Sequence, residues 1–201
     1  LAMINLATAH LFADYKTWAN RRLFDSLEAL PPGETTRERK TIFKNMIGTL
    51  NHIYVVDRIW QAHLEGREHG FQSSHDLVHA DLGELRQAQQ EVDSWYRTWS
   101  AQQTEASLSR EIDFKFVSGD GGTMNAGAIL LHVITHNSYH RGWVIQMFFE
   151  IPQMPPMTDL PVYLREVDPH FNALIAPAAA AEPTYVGQST NAASAPPGRC
   201  R

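Results

Sequence analysis

The chain has 201 residues, 43% of them hydrophobic and 19% charged, with a net charge of -5; this is the size of one domain with a substantial core. The acidic balance gives no reason to expect nucleic acid or an anionic membrane as a partner, and the only cysteine, Cys200, leaves no intrachain disulfide or cysteine-rich metal site. No apolar run reaches membrane-spanning length and the N-terminus lacks a signal-peptide pattern, so a cytoplasmic location is expected.

The spacing predicts a first helix from about Ile4 to Leu30, with Leu11, Tyr15, Trp18, Leu23 and Leu27 recurring at helical intervals until Pro31, Pro32 and Gly33 stop it. Within it, Asn20 reads as a polar side chain bonding a neighbouring turn. A second helix is expected from about Thr41 to Leu64, closed by Gly66. Phe43, Met46, Ile47, Leu50, Ile53, Val56, Ile59, Trp60 and Leu64 leave little of its circumference polar, which marks a central, buried helix. His52 lies to one side of the main stripe, and pattern alone leaves it open between a metal ligand and a satisfied core histidine. Asp57 falls on the stripe itself; a buried carboxylate there pairs with an arginine or a backbone donor, or serves as an acid/base group.

From Glu68 to Ala80 the chain is polar and turn-like. His75 and His79 have ligand spacing, but no apolar stripe flanks them and they read as solvent-facing. Asp81 followed by Glu84 resembles a capping box opening a third helix, from about Leu82 to Gln102. Between Glu111 and Thr123, Ile112, Phe114 and Phe116 alternate with polar residues before a Gly-rich turn, which predicts a short hairpin-like excursion. A fourth long helix follows, from about Met124 to Glu150, and Leu160 to Val167 adds a short helical turn. Four such helices predict an all-α, antiparallel up-and-down four-helix bundle over residues 1–170. Residues 171–201, rich in Ala, Pro and Ser, are expected to form a mobile tail without a catalytic part.

The fourth long helix carries the chemistry. Ile129, Val133, His136, His140, Trp143 and Met147 form one helical stripe with two histidines at its centre. Residues at i and i+4 differ by about 40° and about 6 Å of rise, so two imidazoles at that spacing reach one ion. His132 and His140 stand about 12 Å apart along the axis, too far to close one compact site with His136. The stripe therefore favours His136 and His140 as the pair, with a further ligand from another segment. His132, on the edge of the stripe, reads as a hydrogen-bond partner of the site or as a partly exposed histidine. Arg141 points about 100° away from His140 and reads as an ion-pair or capping residue, with Asp57 as the candidate partner. Gly142 reads as a place where a neighbouring helix approaches closely.

FKNMIGTLNHIYVVDRIWQAHLEG (Phe43 to Gly66), LLHVITHNSYHRG (Leu130 to Gly142) and TDLPVYLRE (Thr158 to Glu166), together with WAN (Trp18 to Asn20) and LEALP (Leu27 to Pro31), resemble the DinB family of four-helix-bundle metalloproteins. The likeness runs over roughly residues 5 to 167. It implies one divalent metal, zinc or nickel, held by His52, His136 and His140. Tyr139 and Trp143 depart from the histidine and glutamine common at those places. Three neutral imidazoles leave open positions on a metal, which points to chemistry on a small-molecule substrate. Either water or a low-molecular-weight thiol would be the nucleophile, making a hydrolase or a thiol S-transferase. Asp57 and Tyr139 are the candidate general bases. The alternative is a non-catalytic, metal-stabilised binding protein of the stress response. A homodimer is expected.

Overall fold

The computed structural model describes residues 3–167, so the tail expected from residue 171 lies outside the described residues. The long helices are α1 (Leu6–Glu28), α2 (Met46–Glu65), α3 (Leu82–Ala101) and α5 (Ala126–Phe148); shorter ones are α4 (Glu105–Leu108) and α6 (Leu160–Val167). Each long helix starts where an Asn or Asp side chain takes up a free backbone N–H. Asn5 accepts from Thr8, Asn45 from Gly48, Asp81 from Glu84 and Asn125 from Ala128. Such a cap contributes about 1 kcal/mol. At the far end of α2, Gly66 takes the left-handed conformation (φ 70°) that glycine adopts without penalty, and its N–H returns to the carbonyls of Ala62 and His63.

The described residues are mostly helical, with one small antiparallel sheet. β1 (Glu111–Lys115) pairs with β2 (Gly121–Asn125), Phe114 opposite Gly122, and Gly119 turns the hairpin at φ 95°. The alternation expected there is realised: Ile112 is buried, and Phe114 packs on Trp60 at 5.0 Å between ring centroids.

Helix α1 packs against α3 and α5, while α2 packs against α3 and α5 from the other side. The four therefore close a ring in the order α1, α3, α2, α5. In the simplest up-and-down order, consecutive helices are neighbours; here residues 29–45 carry the chain across the ring before α2 begins. Leu23, Ile53, Leu85, Ile129, Leu130 and Phe148 fill the middle and are almost wholly shielded, each burial stabilising by roughly 1.5–3 kcal/mol.

One boundary and one buried face differ from the sequence reading in ways that matter for the site. Helix α2 begins at Met46, not near Thr41, because Lys44 is left-handed (φ 66°) and Asn45 is the cap. Phe43 continued the apolar pattern without being helical. On α5 the buried line runs through Val133, Asn137, Arg141 and Val144, while His136 and Trp143 are only half-buried. The stripe is thus centred one residue later than the apolar spacing suggested. Gly142 is exposed, and a Cβ there would meet nothing within 4 Å, so no helix approaches it.

Candidate metal centre

His52 of α2 meets His136 and His140 of α5. Ring centroids are 5.0 Å apart for His52 and His136, 4.6 Å for His52 and His140, and 4.4 Å for the α5 pair. One nitrogen from each ring lies within 4.8 Å of the other two. The Nε2 atoms of His52 and His136 face each other at 3.1 Å. Two nitrogens bound at about 2.0–2.1 Å to one tetrahedral ion stand about 3.3–3.4 Å apart, so this spacing suits a shared cation.

The donor set passes a second test. His52 Nδ1 lies 2.7 Å from the carbonyl of Ser74, to which it donates, leaving Nε2 with its lone pair turned to the centre. Nδ1 of His136 and Nδ1 of His140 are buried with no hydrogen-bond partner among the described residues, each costing about 1–3 kcal/mol when left unsatisfied. Of the three rings, only that of His52 is locked by a protein hydrogen bond. All three are held neutral, the form that binds a metal. Burial, helped by the neighbouring imidazoles, takes His136 down to about 2. Burial and His52 take His140 down to about 4, and burial lowers His52 against the opposing pull of the Ser74 carbonyl.

The loop before α2 supplies one wall. Phe43 stacks on His52 at 4.3 Å and 20° and meets His140 edge-on at 5.5 Å and Trp143 at 5.7 Å. Lys44 reaches the left-handed region to place it there, at a cost of about 1–2 kcal/mol for a residue with a Cβ. Gly48 makes the turn possible, since a Cβ on it would stand 2.2 Å from the Phe43 carbonyl oxygen. Tyr139 packs beside His140 at 4.9 Å and Trp143 at 5.3 Å, with 61% of its surface exposed.

On another side two of the three rings, His52 and His136, border a cavity of about 450 Å³, lined also by His132, Trp60 and the hairpin residues 115–118. His132 packs against Trp60 at 4.9 Å and is kept neutral by burial; it makes no hydrogen bond to a triad ring. His75 and His79 part company: His75 lies 5.6 Å from His52 and His79 lies 5.3 Å from Tyr54, so they share no ion.

Behind the triad, at the bundle centre, is a polar core. Asp57, wholly buried, receives Lys16 at 2.8 Å, Gln89 at 2.9 Å and Asn137 at 2.7 Å. Lys16 also pairs with Asp93, which Gln89 and Asn20 bond as well. Burial alone would lower the Lys16 pKa, but the two carboxylates outweigh it and hold it above the ordinary value. Arg141 donates to Asn20 at 3.1 Å, Tyr15 at 3.3 Å and Ser138 at 2.9 Å. The pairing of Arg141 with Asp57 expected from the sequence is therefore replaced by Lys16 with Asp57. Asn20, read as bonding a neighbouring turn, instead links α1 to Asp93 on α3 and Asn137 and Arg141 on α5. Asp57 does not border the cavity. Ser74, Lys16, Gln89, Asp93 and Asn137 went unread in the sequence. The last four carried a usable signal, polar residues at i, i+4 on stripes that are otherwise apolar.

Residues 3–170 match the DinB family. Protein DinB of Bacillus subtilis (strain 168) is 25% identical over 159 residues, spanning 75% of this chain and 90% of that protein. With that match over most of its length, and three histidines from two helices gathered where one cation could sit, the chain belongs to the DinB family.

Proposed function

We propose that the protein holds one divalent cation, zinc or nickel, on His52, His136 and His140 and acts on a small electrophilic substrate. The observation that carries this reading is the convergence of three neutral nitrogens within 4.8 Å at the edge of a cavity of about 450 Å³. Structural zinc sites are generally closed by four protein ligands, whereas catalytic sites keep a position open. When bound, such an ion supplies the positive charge that turns water or a low-molecular-weight thiol into a nucleophile near neutral pH.

The chain's own residues divide the remaining work. The Ser74 carbonyl fixes the tautomer and plane of His52, and Phe43 with Trp143 keeps water from one side of the rings. Tyr139, packed against the His140 ring and largely exposed, is the candidate proton carrier in this reading. Asp57 already has three donors on its carboxylate and sets the spacing of α2 and α5 in place of touching substrate.

A second reading, a metal that only staples the helices, is favoured by the origin of the ligands on α2 and α5. Elemental analysis of purified protein is expected to give about one divalent ion per chain and to lose it in His52→Ala and His140→Ala. Absence of metal from the wild type, after supply of zinc and nickel, would overturn both readings. Stripping the ion then separates them: a catalytic role predicts retained helicity with loss of esterase or thiol-conjugation activity, and a staple predicts unfolding.

A further inference from the structure

We propose that the cavity beside the triad accepts the uncharged, apolar body of the substrate, an aryl or alkyl carbonyl compound, and that Phe116 and Val117 of the hairpin determine its specificity. The reaction at the triad rests on the function proposed above; the binding belongs to the cavity alone.

The cavity, about 450 Å³, could hold on the order of fifteen water molecules at about 30 Å³ each. That is far more than a nucleophilic water needs and lies in the range of organic-ligand sites. Its apolar lining comes from two sources: Val56, Ile59 and Trp60 on α2, and Phe116 and Val117 beyond β1. Phe116 is 51% exposed although it packs on Phe114 at 5.1 Å and Trp60 at 6.4 Å. A large aromatic left half in water at a cavity mouth gains by being covered.

The polar lining is His52, Ser74, His132 and His136 at the triad end and Lys115 and Ser118 on the hairpin. His132 borders it next to His136, and neither of its ring nitrogens has a protein hydrogen-bond partner among the described residues. It can therefore bond a carbonyl oxygen or hydroxyl at the triad end. Among the described residues lining the cavity, Lys115 is the one ionised side chain, and it is solvent-exposed; no carboxylate lines it. A cationic body entering here would lose hydration with no carboxylate to replace it, whereas an apolar one gains about 25 cal/mol for every Å² removed from water.

The test uses N-phenyl-1-naphthylamine, an uncharged fluorescent probe, titrated into purified full-length protein with energy transfer from tryptophan as the signal. Saturable one-site binding is expected, weakened about tenfold in Phe116→Asp and in Val117→Asp, where a charge replaces apolar contact. Circular dichroism should be unchanged in both variants, since Phe116 is exposed and Val117 is half-buried at the edge of the core, both on the hairpin and not on a helix. Binding should persist in His140→Ala, because His140 does not border the cavity. Absence of saturable binding, or affinity equal to wild type in both hairpin variants, would overturn the assignment. Tighter binding of an anionic naphthalenesulfonate probe to the metal-free protein would do so as well, by showing that Lys115 selects an acid. Metal content measured on the same samples keeps the two proposals apart: a chain that binds the probe but never a metal ends the functional reading and leaves this one standing.

Discussion

Replacing Lys16 by Met keeps a similar volume and deletes the cation that lies between Asp57 and Asp93. The side chains of Lys16, Asp57 and Asp93 are 1%, 0% and 2% exposed. At 2.8 Å and an effective dielectric constant of about 20, one such contact has a Coulomb energy of about 6 kcal/mol. Taking each ion out of water costs several kcal/mol, so the intact cluster contributes little net stability. Breaking it is different, because the desolvation cost stays while the attraction goes. The expected loss is about 3–5 kcal/mol, which for a domain of this size lowers the melting temperature by about 6–20 °C at pH 7. The loss should shrink on acidification towards pH 5. Burial already raises the Asp57 carboxyl above its ordinary value, and without Lys16 it rises further, so the folded variant takes up protons that the unfolded chain does not. Adding Asp57→Asn and Asp93→Asn should recover most of the loss by removing the stranded charges. Thermal melts at both pH values decide the matter. A Lys16→Met protein melting within about 2 °C of wild type at pH 7 would refute the reasoning, as would a deficit that ignores pH.

Gly48→Ala places a Cβ 2.2 Å from the Phe43 carbonyl oxygen and must push the loop off the first turn of α2. A loss of about 1–3 kcal/mol is expected, with weakened metal retention as Phe43 leaves His52; an unchanged melting temperature would show that the loop yields freely. Alkaline unfolding gives another check. Lys16, from an ordinary value of 10.5, and Tyr96, from 10.0, both have folded pKa values above their unfolded ones. The stability they contribute is intact below pH 10 and is lost as pH rises through the folded values. The urea midpoint should fall between about pH 10 and 11.5, and Lys16→Met should soften that fall; a midpoint flat to pH 11.5 would count against buried, protonated groups at these positions.

What the sequence made legible follows the strength of its periodic signals. Helices α1, α3 and α5 and the hairpin could be placed because apolar period and stop residues agreed, as with Asp81 opening α3 and Gly66 closing α2. Phe43 misled because its ring reaches His52 from a loop, and apolar spacing does not distinguish a side chain on a helix from one folded back over it. Ser74 offers the site a backbone carbonyl, which every residue possesses, so its identity carried no signal. The polar core is another matter. Lys16 with Asn20, Gln89 with Asp93, and Asn137 with Arg141 are each i, i+4 pairs, and Asp57 on α2 stands among them. Polar pairs at that spacing on three apolar faces mark helices that meet through one network, although the sequence alone does not say which residue pairs with which.

That network also bears on the triad. Asn137 and Arg141 follow His136 and His140 by one residue, so α5 presents a polar-core face and a ligand face about 100° apart. An imidazole nitrogen lies roughly 7 Å from its helix axis, given a Cα radius of about 2.3 Å. Rolling α5 by about 20° would therefore carry it about 2.4 Å, whereas a metal site tolerates about 0.2 Å in its bonds. An apolar interface of Leu and Val could slide through such a roll at small cost, since dispersion contacts are not directional. The bonds from Asn137 to Asp57 and from Arg141 to Asn20 cannot, because each donor would be left buried without its acceptor. The buried charges add little to net stability, but they fix the roll of α5, and with it the place where His136 and His140 meet His52.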